Sequence, residues 1–264
     1  MDQQVMVTGR TRTLVIWLQR KILGLSRHWL AWANLAWGLI VGLPWLAPVL
    51  MAIGATGPAR VIYFVYSFLC HQLANRSFFL FGPRWMYSYT ELLPFMSNAE
   101  TWLGLQAFVG RPELGYKVAW SDRMVSLYGG IFLGGLIFAL LRRRLRSPGW
   151  RTFVLLIVPM VVDGITHLIS DLAGMGQGFR YNNGWLAALT GNLFSQSFYV
   201  GNALGSFNSW MRLITGLLFG LAVVWMVYPQ FETYFQDTRR TLEPRLRRAG
   251  CFPRQSWDVE ENVA

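Results

Sequence analysis

Asp163, His167 and Asp171 stand four residues apart in one apolar stretch, VVDGITHLISDLAG. On a helix that spacing puts all three on one face, with a drift of roughly 80° across the two steps. Three further polar groups interrupt apolar segments: Cys70, His71, Gln72 and Arg76 in CHQLANR, Asp122 and Arg123 before MVSLYGG, and Asn208 and Arg212 in FNSWMRLITG. Imidazole, thiolate and carboxylate are the ligands of zinc and related ions. His71, His167, Asp171 and Cys70 are therefore candidate ligands for a divalent metal such as zinc. Asp163 and Asp171 lie about 12 Å apart along a helix, so one ion would take His167 with only one of them. A second chemistry is acid–base catalysis, with His167 or His71 as the base and Asp163 as the partner that orients or balances it. Arg76, Arg123 and Arg212, with Gln72 and Asn208 beside them, form a candidate clamp for a bound anion such as a phosphate head group. The alternative needs no ligand: Asp163 pairs with Arg212 or Arg123 in a buried network, and His71 and His167 act as hydrogen-bonding glue.

Each of these groups depends on an apolar helix to position it. The chain has 264 residues, 53% hydrophobic and only 14% charged, with long apolar runs. That composition excludes an ordinary soluble domain and predicts a multi-pass membrane protein. The fold class expected is all-α: a transmembrane helix bundle of about five spanning helices, with interfacial amphipathic helices. The spans are expected at about 30–53, 58–74, 124–141, 152–172 and 208–228, within a membrane domain of 29–229. A basic amphipathic segment (1–28) precedes it and a basic polar tail (230–264) follows. Pro44 and Pro48 are expected kink points in the first span. Gly130, Gly134 and Gly135 would let a neighbouring helix approach the third. Asp163 falls roughly 16 Å into the fourth span, near the midplane. A carboxylate there costs about 2.5–3.5 kcal/mol, so it must be paired, protonated or functional.

The two long connections, 75–123 and 173–207, are expected on one membrane face, with short amphipathic helices at 101–110 and 185–194. Connections of that length are either functional or cap the bundle. The opposite face carries RRRLRSPGWR (142–151) and the tail arginines Arg239, Arg240, Arg245, Arg247 and Arg248, which marks it as cytoplasmic. Five spans would then put the basic N-terminus outside, against the same rule, unless one segment is re-entrant. The net charge of +11 lies in runs beside apolar spans, so it predicts topology and anionic lipid contact rather than nucleic-acid binding. Cys70 and Cys251 are not expected to form a disulfide. The implied location is the plasma membrane, in contact with the lipid bilayer.

Taken jointly, these motifs resemble an uncharacterised prokaryotic membrane-protein family, domain of unknown function 2085. The resemblance runs from about residue 60 to 225. It rests on Cys70-His71-Gln72 with Arg76, Ser77 and Phe78; on Arg123, Tyr128 and Gly130; on Asp163-Gly164; and on Asn208, Arg212, Thr215 and Gly216. Ser121 and Met124 stand where the family carries cysteines, which removes thiolates from a metal site. His167 stands where the family carries a glutamine, which adds a ligand back. The connection 173–207 is longer than the family's. The resemblance implies a membrane protein and no particular activity. The function expected is a membrane-embedded site for a small ligand or metal, acting on a lipid or lipid-linked substrate. The competing expectations are an ion or small-solute transporter, and an assembly subunit whose polar cluster is structural.

Overall fold

The computed structural model of the protein describes residues 9–97 and 101–251. The first residues of the basic N-terminal segment and the end of the tail lie outside the described residues. The chain opens with α1 (Gly9–Ala52) and α2 (Thr56–Ser67). A lobe of β1 (Ser77–Leu80), α3 (Tyr89–Leu92), α4 (Trp102–Ala107), β2 (Gly110–Arg111) and β3 (Gly115–Ser121) follows. Then come α5 (Asp122–Leu141) and α6 (Trp150–Asp171). Three short helices, α7 (Phe179–Asn182), α8 (Gly184–Leu189) and α9 (Gln196–Tyr199), lead into α10 (Phe207–Arg248).

The protein is a mostly α-helical membrane bundle. Among the described residues four helices, α1, α5, α6 and α10, are long and apolar enough to cross a membrane. This corrects the count of five. The expected second span is α2, which has 12 residues and ends at Ser67. At 1.5 Å per residue it reaches about 18 Å, short of a hydrocarbon core of about 30 Å. Its termination follows from Cys70-His71-Gln72: Gln72 takes a left-handed φ of 50°, which a helix cannot accommodate. Pro44 and Pro48 also behave differently from expectation. Both lie inside continuous helix, and the departure from helical angles in α1 is at His28.

The middle of α1, around Arg27 and Trp29, meets the C-terminal half of α10. Arg27 donates to Glu243 at 2.9 Å and the Trp29 indole to Glu232 at 2.9 Å. The loop after α5 joins them, with the Trp225 indole donating to the Arg146 carbonyl at 2.8 Å. All the basic segments therefore gather at one end of the bundle. Four spans put the two described ends of the chain, Gly9 and Cys251, on that side, and the basic start of α1 no longer conflicts with the positive-inside rule.

α5 and α10 run parallel at close range. A Cβ on Gly130 would come 3.0 Å from the Leu217 carbonyl, and one on Gly134 would come 3.1 Å from Val224. On the facing helix, Gly216 and Gly220 leave no room for a Cβ against Ser126 and the Leu127 carbonyl. Small residues four apart on both helices let the backbones meet. That contact brings Asp122 and Arg123, at the head of α5, beside Arg212 on α10.

The two long connections pack together at the other end of the bundle, where Asn75 donates to the Tyr181 hydroxyl at 3.1 Å. The first contains an antiparallel sheet in the order β1-β3-β2, which the helical periodicities did not suggest. Its central strand buries Val118, Ala119 and Trp120 against Ala47, Ala59, Tyr63 and Tyr66. A second core under the sheet gathers Leu73, Phe79, Leu92 and Leu105. Outside, α6 exposes Leu155, Val158, Val162, Ile165 and Ile169, an apolar face suited to lipid.

Candidate functional site

α6 is built inside out. Its buried residues are Asp163, His167, Ser170 and Asp171, all polar, while Leu155, Val158, Val161, Val162, Ile165, Leu168 and Ile169 are exposed. A helix in lipid can afford that only if every charge on the inner stripe is paired. Each one is. Asp163 accepts from Arg123 Nη2 at 2.7 Å through Oδ2 and from Arg180 Nη2 at 2.6 Å through Oδ1. Asp171 takes Arg76 Nη2 at 2.6 and 2.9 Å. His167 Nε2 lies 3.2 Å from Arg180 Nη2. A guanidinium can only donate, so Nε2 is the acceptor and the imidazole is neutral.

The neighbouring pair belongs to α5 and α10. Arg212 Nε donates to Asp122 at 2.8 and 2.9 Å, and Nη2 donates to Asp122 at 2.7 Å. Asn202 holds the rest of that guanidinium, with Oδ1 at 2.8 Å from Nη1 and its carbonyl at 3.0 Å from Nη2. Both side chains are essentially inaccessible. Asp163 thus pairs with Arg123, one of its two expected partners, and with Arg180; Arg212 belongs to Asp122.

Cys70, His71 and Gln72 form the turn that follows α2. Cys70 Sγ receives the amides of Gln72 at 3.3 Å and Ser121 at 3.4 Å. Gln72 is tied down at both ends: its Nε2 donates to the Tyr63 carbonyl at 2.8 Å, and its own carbonyl accepts Lys117 Nζ at 2.7 Å. Lys117 is fully buried without a carboxylate, and its ammonium also donates to the Leu105 and Gln106 carbonyls. Burial pushes it down to about 7, with the nearby Cys70 opposing the shift. His71 is exposed and stands edge-on to Trp102 at 5.3 Å.

A cavity of about 240 Å³ opens among these groups. His71 and Trp102 stand on one wall, Arg76, Arg123 and Arg212 on others, and Gln72, Cys70, His167 and Asp171 also line it. Asn208, expected here, is elsewhere: its amide holds the Arg180 and Gly201 carbonyls and an edge of Asn183. The three arginines are not equivalent. Every nitrogen of Arg212 is engaged by protein. Arg123 commits Nη2 to Asp163, while its Nε has no partner. Arg76 commits Nη2 to Asp171, and its Nε has none either. Burial lowers the Arg76 pKa, but Asp171 and Tyr181 together oppose it and the net shift is upward. The whole cluster sets four guanidiniums, of Arg76, Arg123, Arg180 and Arg212, against three carboxylates.

The expected zinc-type set is not assembled. Among the described residues no three His, Cys, Asp or Glu side chains come together as a group that could hold a metal ion. His71, His167, Asp171 and Cys70 share the cavity, yet the Asp171 carboxylate is taken by Arg76 and the His167 lone pair by Arg180. An excess of guanidinium charge opposes a divalent cation. The residues present do not fit a metal.

Arg180 is the member that motif reading missed. It lies in the long connection, where no periodicity points inward. One signal was available: it is the only charged residue between 173 and 207. A lone charge in an otherwise neutral segment beside a membrane asks for a buried partner, and here it is Asp163.

Comparison with known proteins agrees with the motifs. Residues 114–226 match the family described as predicted membrane protein, DUF2085, the family that the motifs resemble. Cys70-His71-Gln72 lies upstream of the matched residues. An uncharacterised protein of Methanocaldococcus jannaschii is 26% identical over 155 residues, covering 55% of this chain and 76% of the relative. No solved structure matches.

Proposed function

We propose that this membrane protein binds a small anion, a phosphate or a phosphate monoester, in the cavity between the Cys70–Gln72 turn and α6. The observation that carries the proposal is the pair Arg76 and Arg123: both line the cavity, each gives one terminal nitrogen to a carboxylate, and each keeps an Nε without a protein partner. A guanidinium presents its donors as a planar fork matched to phosphate. The excess of one positive charge in the cluster favours an anion. In this scheme Asp163 and His167 position the arginines rather than take part in chemistry, since their acceptor atoms are already occupied. His71, exposed at the cavity wall beside Trp102, is the imidazole with room to reach a bound monoester. The protein would act at the plasma membrane, where its basic end faces the anionic cytoplasmic leaflet.

The test is calorimetry on detergent-purified protein with inorganic phosphate and with glycerol 3-phosphate. Binding of both means that the anion alone is recognised; binding of glycerol 3-phosphate only means that a lipid-type head group is. Arg123→Lys keeps the charge facing Asp163 but removes the fork, and is expected to weaken binding by roughly tenfold, about 1.4 kcal/mol. Absence of heat with either ligand at millimolar concentration, in a sample that melts cooperatively, overturns the proposal.

A further inference from the structure

A second recess lies on the other side of α6, and shares no lining residue with the anion cavity. It is a groove of about 810 Å³ between α6 and α10, roofed by α7 and α8. Its lower walls are Pro159 and Val162 from α6 and Met211 and Thr215 from α10. Counted from Asp171, Pro159 is about 18 Å down its helix, and Thr215 is about 12 Å below Phe207. These walls belong to membrane-spanning helices, so the groove enters the hydrocarbon layer, where Val162 is 54% exposed. Its upper end is polar and aromatic. Arg180 and Trp185 stand there, with the Arg180 guanidinium 5.4 Å above the Phe207 ring and Trp185 edge-on to Phe207 at 6.0 Å.

This recess is apolar at hydrocarbon depth and cationic at the head-group end. Arg180 is 94% buried by its 6% relative exposure, and its Nε has no partner in the protein. Its Nη2 is shared between Asp163 and His167. Water suits the lower groove poorly, and an anion without a chain would leave the apolar walls empty. We propose that the groove is a binding site for a single membrane lipid with a phosphate head group: the acyl chain lies between α6 and α10, and the phosphate is held at Arg180 and framed by Trp185. Indole at the bilayer interface suits that place. The site goes beyond the anion cavity, since it uses another arginine, the opposite side of α6 and a ligand that must carry a chain. The two touch at Asp163, which gives one oxygen to Arg123 on the cavity side and the other to Arg180 on the groove side, and at His167, a cavity-wall residue whose Nε2 accepts from Arg180.

The test uses the full chain in phosphatidylcholine vesicles. Two lipids with a diazirine in the acyl chain are compared, phosphatidic acid and diacylglycerol, and adducts are mapped by mass spectrometry. The expected result is phosphatidic acid labelling at Met211 and Thr215 roughly tenfold above that at Leu155, which faces lipid on α6 outside the groove. Diacylglycerol should show no such preference. Val162→Trp, a change at an exposed position, should fill the groove and remove the preference. Equal labelling of Met211, Thr215 and Leu155 by phosphatidic acid, or equal labelling of the groove by both lipids, overturns the proposal. Phosphate calorimetry on the same samples keeps the two sites apart. Loss of groove labelling with phosphate binding intact rejects the lipid site alone, and the converse rejects the anion cavity alone.

Discussion

The cluster divides residue by residue into charges held by protein and charges with donors to spare. Asp122 and Arg212 are the first kind: both are buried, and each satisfies the other. Removing one partner leaves the other charge stranded, which costs about 3–5 kcal/mol. Asp122→Asn is therefore expected to lower the melting transition of the detergent-solubilised protein sharply, whether or not phosphate is present. Arg123→Lys should leave the melt close to the parent and act on phosphate affinity; equal thermal damage from both would mean that Arg123 too is only a structural partner. Lys117 gives a third residue-scale expectation. Folded, it titrates near 7 against an ordinary 10.5. Below about pH 7 both folded and unfolded chains hold that proton, and the burial cost is carried in full. Between 7 and 10.5 the unfolded chain keeps the proton that the folded chain has lost, so stability rises with pH across that window. Denaturation at pH 7 and pH 10 should show the rise in the parent and its disappearance in Lys117→Met, which keeps an unbranched side chain without the charge. A parent curve that is flat between those pH values would show that the three carbonyls around Nζ keep the ammonium charged.

At the scale of elements, the site exists because α5 and α10 touch. Gly216 and Gly220 let α10 approach the α5 backbone, and that approach sets Arg212 beside Asp122. Gly220→Leu should force the helices apart and break the Asp122–Arg212 pair, so the variant should aggregate on size-exclusion chromatography in mild detergent. Gly129 has open space around its would-be Cβ, so Gly129→Leu should elute as the parent does. Identical behaviour of the two variants would remove close packing as the cause. The glycine stripe of α5 was legible in the sequence because a repeat of four needs only the helical period. The polar stripe of α6 was legible for the same reason, and Asp163, His167 and Asp171 do share its buried face. Partner choice was not legible. Arg123 and Arg212 are both at helix ends on the same side, and only the parallel fit of α5 and α10 gives Arg212 to Asp122. The sheet was hidden because β3, GYKVAWS, is buried on both faces, with Lys117 inside. A strand of that kind shows no alternation of polar and apolar residues.

Across the whole molecule the span count decides which groups share a compartment. The sequence favours five spans because the apolar run of α2 passes into Cys70 and Leu73, which read as further helix; the left-handed turn at Gln72 is a tertiary feature, held by Tyr63 and Lys117, with no local sequence signal. With four spans, Arg27 meets Glu243, the loop at 142–149 joins them, and every basic segment lies at one end. The site, the groove and both long connections lie at the other. By the positive-inside rule the basic end is expected in the cytoplasm, with the proposed anion cavity opening on the other face. Cysteine accessibility tests this directly, since Cys70 is buried and Cys251 lies in the tail beyond α10. An impermeant maleimide applied to intact cells should label Ser197→Cys, in the exposed connection, but neither Cys251 nor Thr11→Cys. Permeabilised cells should show labelling at all three. Thr11→Cys reacting together with Ser197→Cys in intact cells would restore an odd number of crossings and place the two ends of the chain on opposite faces. The contact between Arg27 and Glu243 could then not form, and the basic N-terminal helix would have to be held outside by something other than its charge.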